Sequence, residues 1–239
     1  MRAFLLAAGH GTRLRPLTDT VPKCLVPIRG EPLLKIWLDL CSAFGIDDVL
    51  INVHAHREAI VEFLKTYDTS IRVNVSEERS LLGSAGTLRA HRKWVESEPL
   101  FWVFYADVLH CVDLGRMLRY HHNQGLEATI GVYRVPDPSR CGVVTIDDSG
   151  VVRSFVEKPA RPATNLVFSG IMIATPEFLS EIPDACPVDI GSHVLPRLVH
   201  RMAAYEISEY LIDIGTLANY QAAQLSWPAK VNHAISNYL

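Results

Sequence analysis

Two cationic side chains, Arg13 and Lys23, stand in a stretch rich in glycine and proline. It reads Leu6-Ala7-Ala8-Gly9-His10-Gly11-Thr12-Arg13-Leu14-Arg15-Pro16-Leu17-Thr18 and continues as Pro22-Lys23-Cys24-Leu25-Val26-Pro27-Ile28. A glycine-rich loop leaving a strand can offer backbone N–H groups to phosphate, because the missing side chains let an anion approach. Pro16 and Pro22 fix φ and hold the segment open, so both cations can stand over one site. That combination suits a polyphosphate. Two commoner phosphate loops fail on their residues. A P-loop needs Gly-Lys followed by Ser or Thr, whereas Gly11 here precedes Thr12-Arg13, and a dinucleotide fingerprint needs a glycine at the position of Leu14.

The elements that must carry this loop read as α/β. Apolar runs over 3–8, 48–53, 71–75 and 100–105 predict strands, and amphipathic stretches over 33–44, 57–66 and 88–96 predict helices. Short apolar runs separated by helical patterns are the mark of a parallel sheet with crossover helices, here over about the first 110 residues. After a helix over 113–125 the pattern turns β-rich, with strands over 128–135, 142–146, 151–157 and 166–174. The run Asp147-Asp148-Ser149-Gly150 suits a hairpin turn. With no repeat or linker, residues 1–239 are expected to form one catalytic domain, with a nucleotide-binding half over about 1–110 and a sugar-binding half over about 111–239.

Composition removes several classes of function. The 239 residues are 49% hydrophobic and 21% charged with a net charge of -3, so the basic surface that nucleic acid demands is not expected. No apolar run approaches the ~20 residues that cross a bilayer, and the apolar start is at the short edge for a secretory signal of ~7–15 apolar residues. Five cysteines, odd in number and widely spaced, give neither a disulfide framework nor a zinc site, which points to the cytoplasm. His54 and His56, and His110, Cys111 and Asp113, read as structural for want of further ligands nearby. His121 and His122 are expected to face solvent, and Cys24 to be packed rather than nucleophilic.

The opening segment resembles the signature G-x-G-T-R-L-x-P-L-T…P-K-x-L-x-P of the sugar-phosphate nucleotidyltransferases, and the resemblance extends across nearly the whole chain. Leu82-Gly83-Ser84-Ala85-Gly86-Thr87 is similar to the family's second nucleotide loop, and Phe104-Tyr105-Ala106-Asp107 ends where the family carries a metal-binding Asp. Arg140-Cys141-Gly142-Val143-Val144 is similar to the sugar loop R-[YF]-G-V-[VI], and Val156-Glu157-Lys158-Pro159 matches V-E-K-P. Ile212-Asp213-Ile214-Gly215-Thr216 with Tyr220 resembles W-x-D-[IV]-G-T…Y.

The resemblance implies a Rossmann-like α/β fold of the nucleotide-diphospho-sugar transferase type: a mixed, mostly parallel sheet flanked by helices, with a small β-rich sugar-binding extension. It implies a reaction of a nucleoside triphosphate with a sugar 1-phosphate that gives an NDP-sugar and pyrophosphate, with Mg²⁺ as cofactor. Arg13 and Lys23 are then catalytic, and Leu6, Ala8, Gly9, Gly11, Thr12, Arg13, Glu78, Gly83, Ser84 and Gly86 bind nucleotide. Asp107, Gly142, Glu157, Lys158, Ser169 and Gly170 take the sugar phosphate, and Asp107 and Asp213 hold the metal.

The resemblance places Glu78 at the base edge. Guanine presents two adjacent donors, N1–H and N2–H₂, which a carboxylate accepts together, so Glu78 favours GTP. The pattern as a whole looks most like the guanylyltransferases of mannose 1-phosphate and D-glycero-α-D-manno-heptose 1-phosphate, whose GDP-sugars feed glycan or capsule assembly. Two departures bear on specificity: Ala8-Gly9 stands where many relatives have Gly-Gly, and Phe168-Ser169-Gly170 where N-A-G is common. The alternatives are UTP, dTTP or CTP with another sugar 1-phosphate, and a non-catalytic regulatory subunit binding a nucleotide sugar. A glycosyltransferase is disfavoured by the lone Asp107. A homodimer is expected by analogy, and a C-terminal β-helix is not expected, since no hexapeptide repeat is present.

Overall fold

A computed structural model describes residues 1–9 and 11–228. In chain order the elements are β1 (Arg2–Leu6), β2 (Pro27–Ile28), β3 (Glu31–Pro32), α1 (Leu33–Ala43), β4 (Asp48–Val53), α2 (Arg57–Thr66), β5 (Arg72–Glu77), α3 (Ser84–Ala90), α4 (Arg92–Val95), β6 (Phe101–Tyr105) and β7 (Val108–His110). There follow α5 (Leu114–Gln124), β8 (Ala128–Arg134), β9 (Gly142–Ile146), β10 (Val152–Glu157), β11 (Leu166–Ala174), β12 (Met202–Glu206), β13 (Leu211–Asp213) and α6 (Leu217–Ser226). No helix among the described residues is long and apolar enough to cross a membrane.

The chain divides into two compact units, each discontinuous in sequence. The first comprises residues 1–81, 104–115 and 209 onward, and the second comprises 82–103 and 116–208. A division near residue 110 does not coincide with these units, because β13 returns to pair with β7 and brings the last part of the chain into the first.

In the first unit β4 lies between β1 and β5, parallel to both. All six of its residues are buried, as expected of a parallel strand covered on both faces. Helix α1 buries Leu33, Leu34, Trp37, Leu38 and Cys41, a stripe at helical spacing. The parallel register is what matters for function. It brings the carboxyl ends of β1, β4 and β5 level, with Leu6 opposite Asn52 and Asn52 opposite Ser76. Ligands of open α/β sheets bind at such ends.

The second unit is mainly antiparallel: β8 pairs with β11, β11 with β9 and β9 with β10, while β12 adds parallel to β8. The hairpin expected between β9 and β10 is present, with Asp147 Oδ1 accepting from the N–H groups of Ser149 and Val151. The helix predicted over 88–96 forms as two pieces, α3 and α4, broken at His91. His121 corrects the solvent-facing expectation: it is buried, and its Nδ1 lies 2.9 Å from Thr129 Oγ1. The polar face of α5 meets β8 at that hydroxyl, a buried partner that helical periodicity alone does not reveal. Residues 229–239 lie outside the described residues.

Candidate active site

The glycine-rich loop leaves β1 at Leu6 and runs into a single 3-10 turn over Thr12–Leu14. Gly11, at φ 64, occupies the left-handed region, and a Cβ there would stand 3.0 Å from Thr18 Cγ2. Thr18 is buried and donates its hydroxyl to Gly11 O at 2.7 Å, which fixes the bend. Around Gly9 nothing among the described residues comes within 4 Å of where a Cβ would sit, so packing does not demand glycine there. Leu14 is fully buried, which anchors the turn and leaves its neighbour Arg13 exposed.

Four charged residues of the first unit converge. Lys23 Nζ lies 2.5 Å from Asp107 Oδ2. Antiparallel pairing sets Val108 opposite Asp213, placing Asp213 beside the residue that follows Asp107, and Ile214 N donates to Asp107 O at 2.9 Å. Asp213 Oδ1 accepts from Gly215 N at 2.5 Å. A Cβ on Gly215 would stand 2.7 Å from that Oδ1, 3.1 Å from Arg13 Nη2 and 3.2 Å from Lys23 Nζ. Gly215 is therefore the gap into which a carboxylate, a guanidinium and an ammonium all face.

The Asp213 carboxyl is held above its usual range, chiefly by burial and then by the negative charge of Asp107. Lys23, the Gly215 N–H and Arg13 pull the other way. Two carboxylates beside one another, only partly neutralised, fit a hard divalent cation that takes its remaining ligands from phosphate and water. Among the described residues no group of three or more His, Cys, Asp or Glu could hold a metal by itself. Burial pushes the Cys24 thiol up to about 12, in keeping with a packed residue rather than a nucleophile.

Helix α6 holds this arrangement from behind. Thr216 caps it by accepting from Asn219 N, and Asn219 Nδ2 donates to Asp213 O at 2.7 Å. Tyr220 Oη and Gln224 Nε2 both donate to Pro27 O, tying the end of the Lys23 segment to the same helix. Glu78, just beyond β5, is 4% exposed, and its Oε1 accepts from Asn52 Nδ2 at 2.8 Å.

In the second unit Gly83, Ser84 and Gly86 are drawn together, but mainly against their own chain. Val188 O accepts from Ala85 N and Gly86 N at 2.9 and 3.0 Å, and Val188 N donates to Leu82 O. Ser84 Oγ accepts from Ile190 N at 2.7 Å and donates to Asp189 Oδ1 at 3.3 Å. A Cβ on Gly83 would overlap Val188, so this glycine is required by packing. The segment Val188–Asp189–Ile190 carries no motif, and only the fold sets it against this loop.

Glu157 lies across two glycines: a Cβ on Gly142 would stand 2.9 Å from its Oε2, and a Cβ on Gly191 2.6 Å. Lys158 follows at φ 48 with its N–H bonded to Cys141 O, and its Nζ stands 3.3 Å from Glu157 Oε1. A non-glycine residue in that region of φ is strained, and such strain clusters at functional sites. Ser169 is placed differently from a sugar-facing hydroxyl. It is buried and its Oγ accepts from Ile171 N, shaping the bulge in β11 at Gly170, whose φ is 81.

The sequence model of the Nucleotidyl transferase family matches residues 2–229. The chain belongs to this family. It is 34% identical over 228 residues to mannose-1-phosphate guanylyltransferase 1 of Arabidopsis thaliana, a match covering 92% of this chain and 63% of that protein. The chain thus spans less than two thirds of the length of the curated relatives it matches first. Among solved structures it resembles a putative glucose-1-phosphate thymidylyltransferase from Bacillus anthracis in complex with a sucrose. The TM-score there is 0.82 at 24% identity, covering 94% of each chain. It also resembles HddC from Yersinia pseudotuberculosis complexed with GMP-PN, with a TM-score of 0.79 at 24% identity over 95% of this chain and 99% of that one. At that identity the likeness establishes the fold, which is the nucleotidyltransferase α/β fold.

Proposed function

We propose that this family member is a sugar-1-phosphate guanylyltransferase, joining GTP to mannose 1-phosphate or D-glycero-α-D-manno-heptose 1-phosphate and releasing pyrophosphate. The observation that carries the reading is the convergence of Arg13, Lys23, Asp107 and Asp213 around Gly215. A guanylyltransferase among its relatives and a GMP-PN complex among its structural neighbours favour guanine.

An oxygen of the sugar phosphate attacks the α-phosphorus of GTP in line; the new P–O bond forms as the bond to the β-phosphate bridging oxygen breaks, and pyrophosphate carries away the electron pair. Both reactants are anions, so charge neutralisation and alignment make up most of the catalysis. The planar fork of Arg13 clamps the departing β,γ-phosphates, and Lys23 exchanges Asp107 for an oxygen of the α-phosphate or of the incoming phosphate. Asp107 and Asp213 would hold Mg²⁺, which when bound supplies Lewis-acid stabilisation of phosphate charge. Lys158 holds the sugar phosphate and Glu157 accepts from sugar hydroxyls, while Gly142 leaves room for the Phe155 ring and for that carboxylate. Glu78 accepts from the guanine edge. Because the donors of Ala85 and Gly86 are engaged by Val188, Gly83, Ser84 and Gly86 contribute the surface of their loop to the nucleotide. Ser169 and Gly170 act through the shape of the bulge. Five free cysteines agree with a reducing, cytoplasmic setting.

The test is pyrophosphate release over four nucleoside triphosphates against mannose, manno-heptose, glucose and N-acetylglucosamine 1-phosphates with Mg²⁺, with Asp107→Ala as control. Turnover with GTP and a manno sugar is expected. Turnover with another base alone would keep the reaction and overturn the guanine assignment; binding without turnover would make the chain a regulatory subunit.

A further inference from the structure

Strand β4 is apolar along its second half except at one position. Asn52 is 4% exposed and stands between Ile51 and Val53, where a buried amide is unfavourable unless both of its ends are bonded. Both ends are engaged, and with different partners. Oδ1 accepts from Ala7 N at 2.7 Å, the first main-chain donor beyond β1, and Nδ2 donates to Glu78 Oε1 at 2.8 Å. Donor and acceptor roles fix the amide's orientation, since a main-chain N–H can only donate and a carboxylate can only accept. No other small side chain offers a donor and an acceptor at that reach; aspartate lacks the donor and leucine lacks both.

The parallel register explains why one residue can do this. Asn52 lies opposite Leu6 on one side and Ser76 on the other, so it sits between the chain leaving β1 toward the phosphate loop and the chain leaving β5 toward Glu78. The backbone of Glu78 is held by the same strand end: its N–H donates to Val53 O at 2.8 Å, and His54 Nδ1 lies 2.7 Å from its carbonyl, to which it must donate. Glu78 thus has its main chain fixed by Val53 and His54 and its carboxylate aimed by Asn52.

We infer that Asn52 is a specificity-determining positioning residue, tying the phosphate-side loop at Ala7 to the base-reading carboxylate of Glu78; the base component rests on the guanine reading proposed above. Binding energy for the base then depends on an amide that touches no substrate. A misaimed carboxylate loses hydrogen bonds to the base while the sugar phosphate is held as before.

The informative variants are Asn52→Asp, Glu78→Gln and the two combined, assayed with the nucleoside triphosphate that the wild type uses best and with its competitors. Asn52→Asp keeps an acceptor for Ala7 N and removes the donor to Glu78. It is expected to raise the nucleotide KM and reduce the base preference roughly 10–100-fold, the loss of a hydrogen bond to a charged group, with the KM for sugar phosphate unchanged. In the double variant the donor returns from the other side and a carbonyl oxygen faces the base, so base preference recovers above that of Asn52→Asp but stays below wild type, because one neutral oxygen replaces the carboxylate. The reversal keeps the inference open to refutation even if Asn52→Asp alone folds poorly. A folded Asn52→Asp with wild-type base preference, or a double variant no better than its worse parent, would overturn the positioning role. An unaltered base preference in Glu78→Gln overturns the reading of Glu78 itself, which is a distinct failure.

Discussion

Gly191 shows how far a residue without a side chain can govern the placement of a charged one, Glu157, to which the proposed function gives the sugar hydroxyls. A methyl group there would stand 2.6 Å from Glu157 Oε2, and the atom that must yield is the far end of a flexible side chain rather than backbone. Gly191→Ala is therefore expected to spare the fold and displace the carboxylate. The KM for sugar phosphate rises on the order of 10-fold, the weight of one hydrogen bond to a charged group, while the KM for nucleotide holds, which steady-state kinetics with each substrate varied would resolve. The same contrast explains which residues the sequence makes legible. Arg13, Lys23, Asp107 and Asp213 announce themselves by charge and by their place in motifs, and the structure brings them together. Asn52 and Gly191 are neutral, outside every motif, and acquire meaning only from what the fold sets beside them. Ser169 is the reverse case, a residue picked out by its place in the chain whose hydroxyl oxygen accepts from its own main chain.

Elements of the first half are legible because each satisfies a strong local rule. Strand β4 and helix α2 have the bounds their patterns predict, since a buried parallel strand is continuously apolar and an amphipathic helix is periodic. Strands β7 and β13 are too short to carry a period, yet their pairing is what sets Asp107 and Asp213 together. That small ribbon also carries His110, fully buried against Trp37 and accepting from Val112 N through Nδ1. Burial holds its pKa down at about 3 against an ordinary 6.5. A base whose folded pKa is depressed stays neutral in the fold while the unfolded chain takes up a proton, so the stability it permits is present above 6.5 and is lost as pH falls toward 3. The slope from this group approaches ~1.4 kcal/mol per pH unit inside that window. Melting temperatures measured from pH 7 to 4 should fall accordingly, and less steeply in His110→Gln, which cannot titrate. Equal slopes would place the acid sensitivity elsewhere.

At the scale of the whole molecule, stability and the proposed catalysis pull Asp213 in opposite directions. The carboxyl is buried next to Asp107, and both effects disfavour its charged form, so at neutral pH the ionised group works against the fold whenever no cation or phosphate partner compensates. Asn at this position keeps the acceptor for Gly215 N, fills the same volume and removes the charge. Asp213→Asn should consequently stabilise the ligand-free protein by about 1 kcal/mol, a typical gain where a functional site is strained, or roughly 2–4 °C in a chain of this length. The wild type has the opposite reserve. On the proposed function, GTP and Mg²⁺ at 100 times the dissociation constant stabilise the folded state by about 2.7 kcal/mol through linkage, a rise of roughly 5–10 °C. In Asp213→Asn that rise should shrink to what GTP gives in the presence of a chelator, so the variant melts higher when empty and lower when loaded. Thermal shift with and without nucleotide and metal reads both signs in one experiment. A variant less stable than wild type in the empty state would show that Asp213 is held for the fold, and that its closeness to Asp107 is a structural pairing rather than a site kept at a cost for a cation.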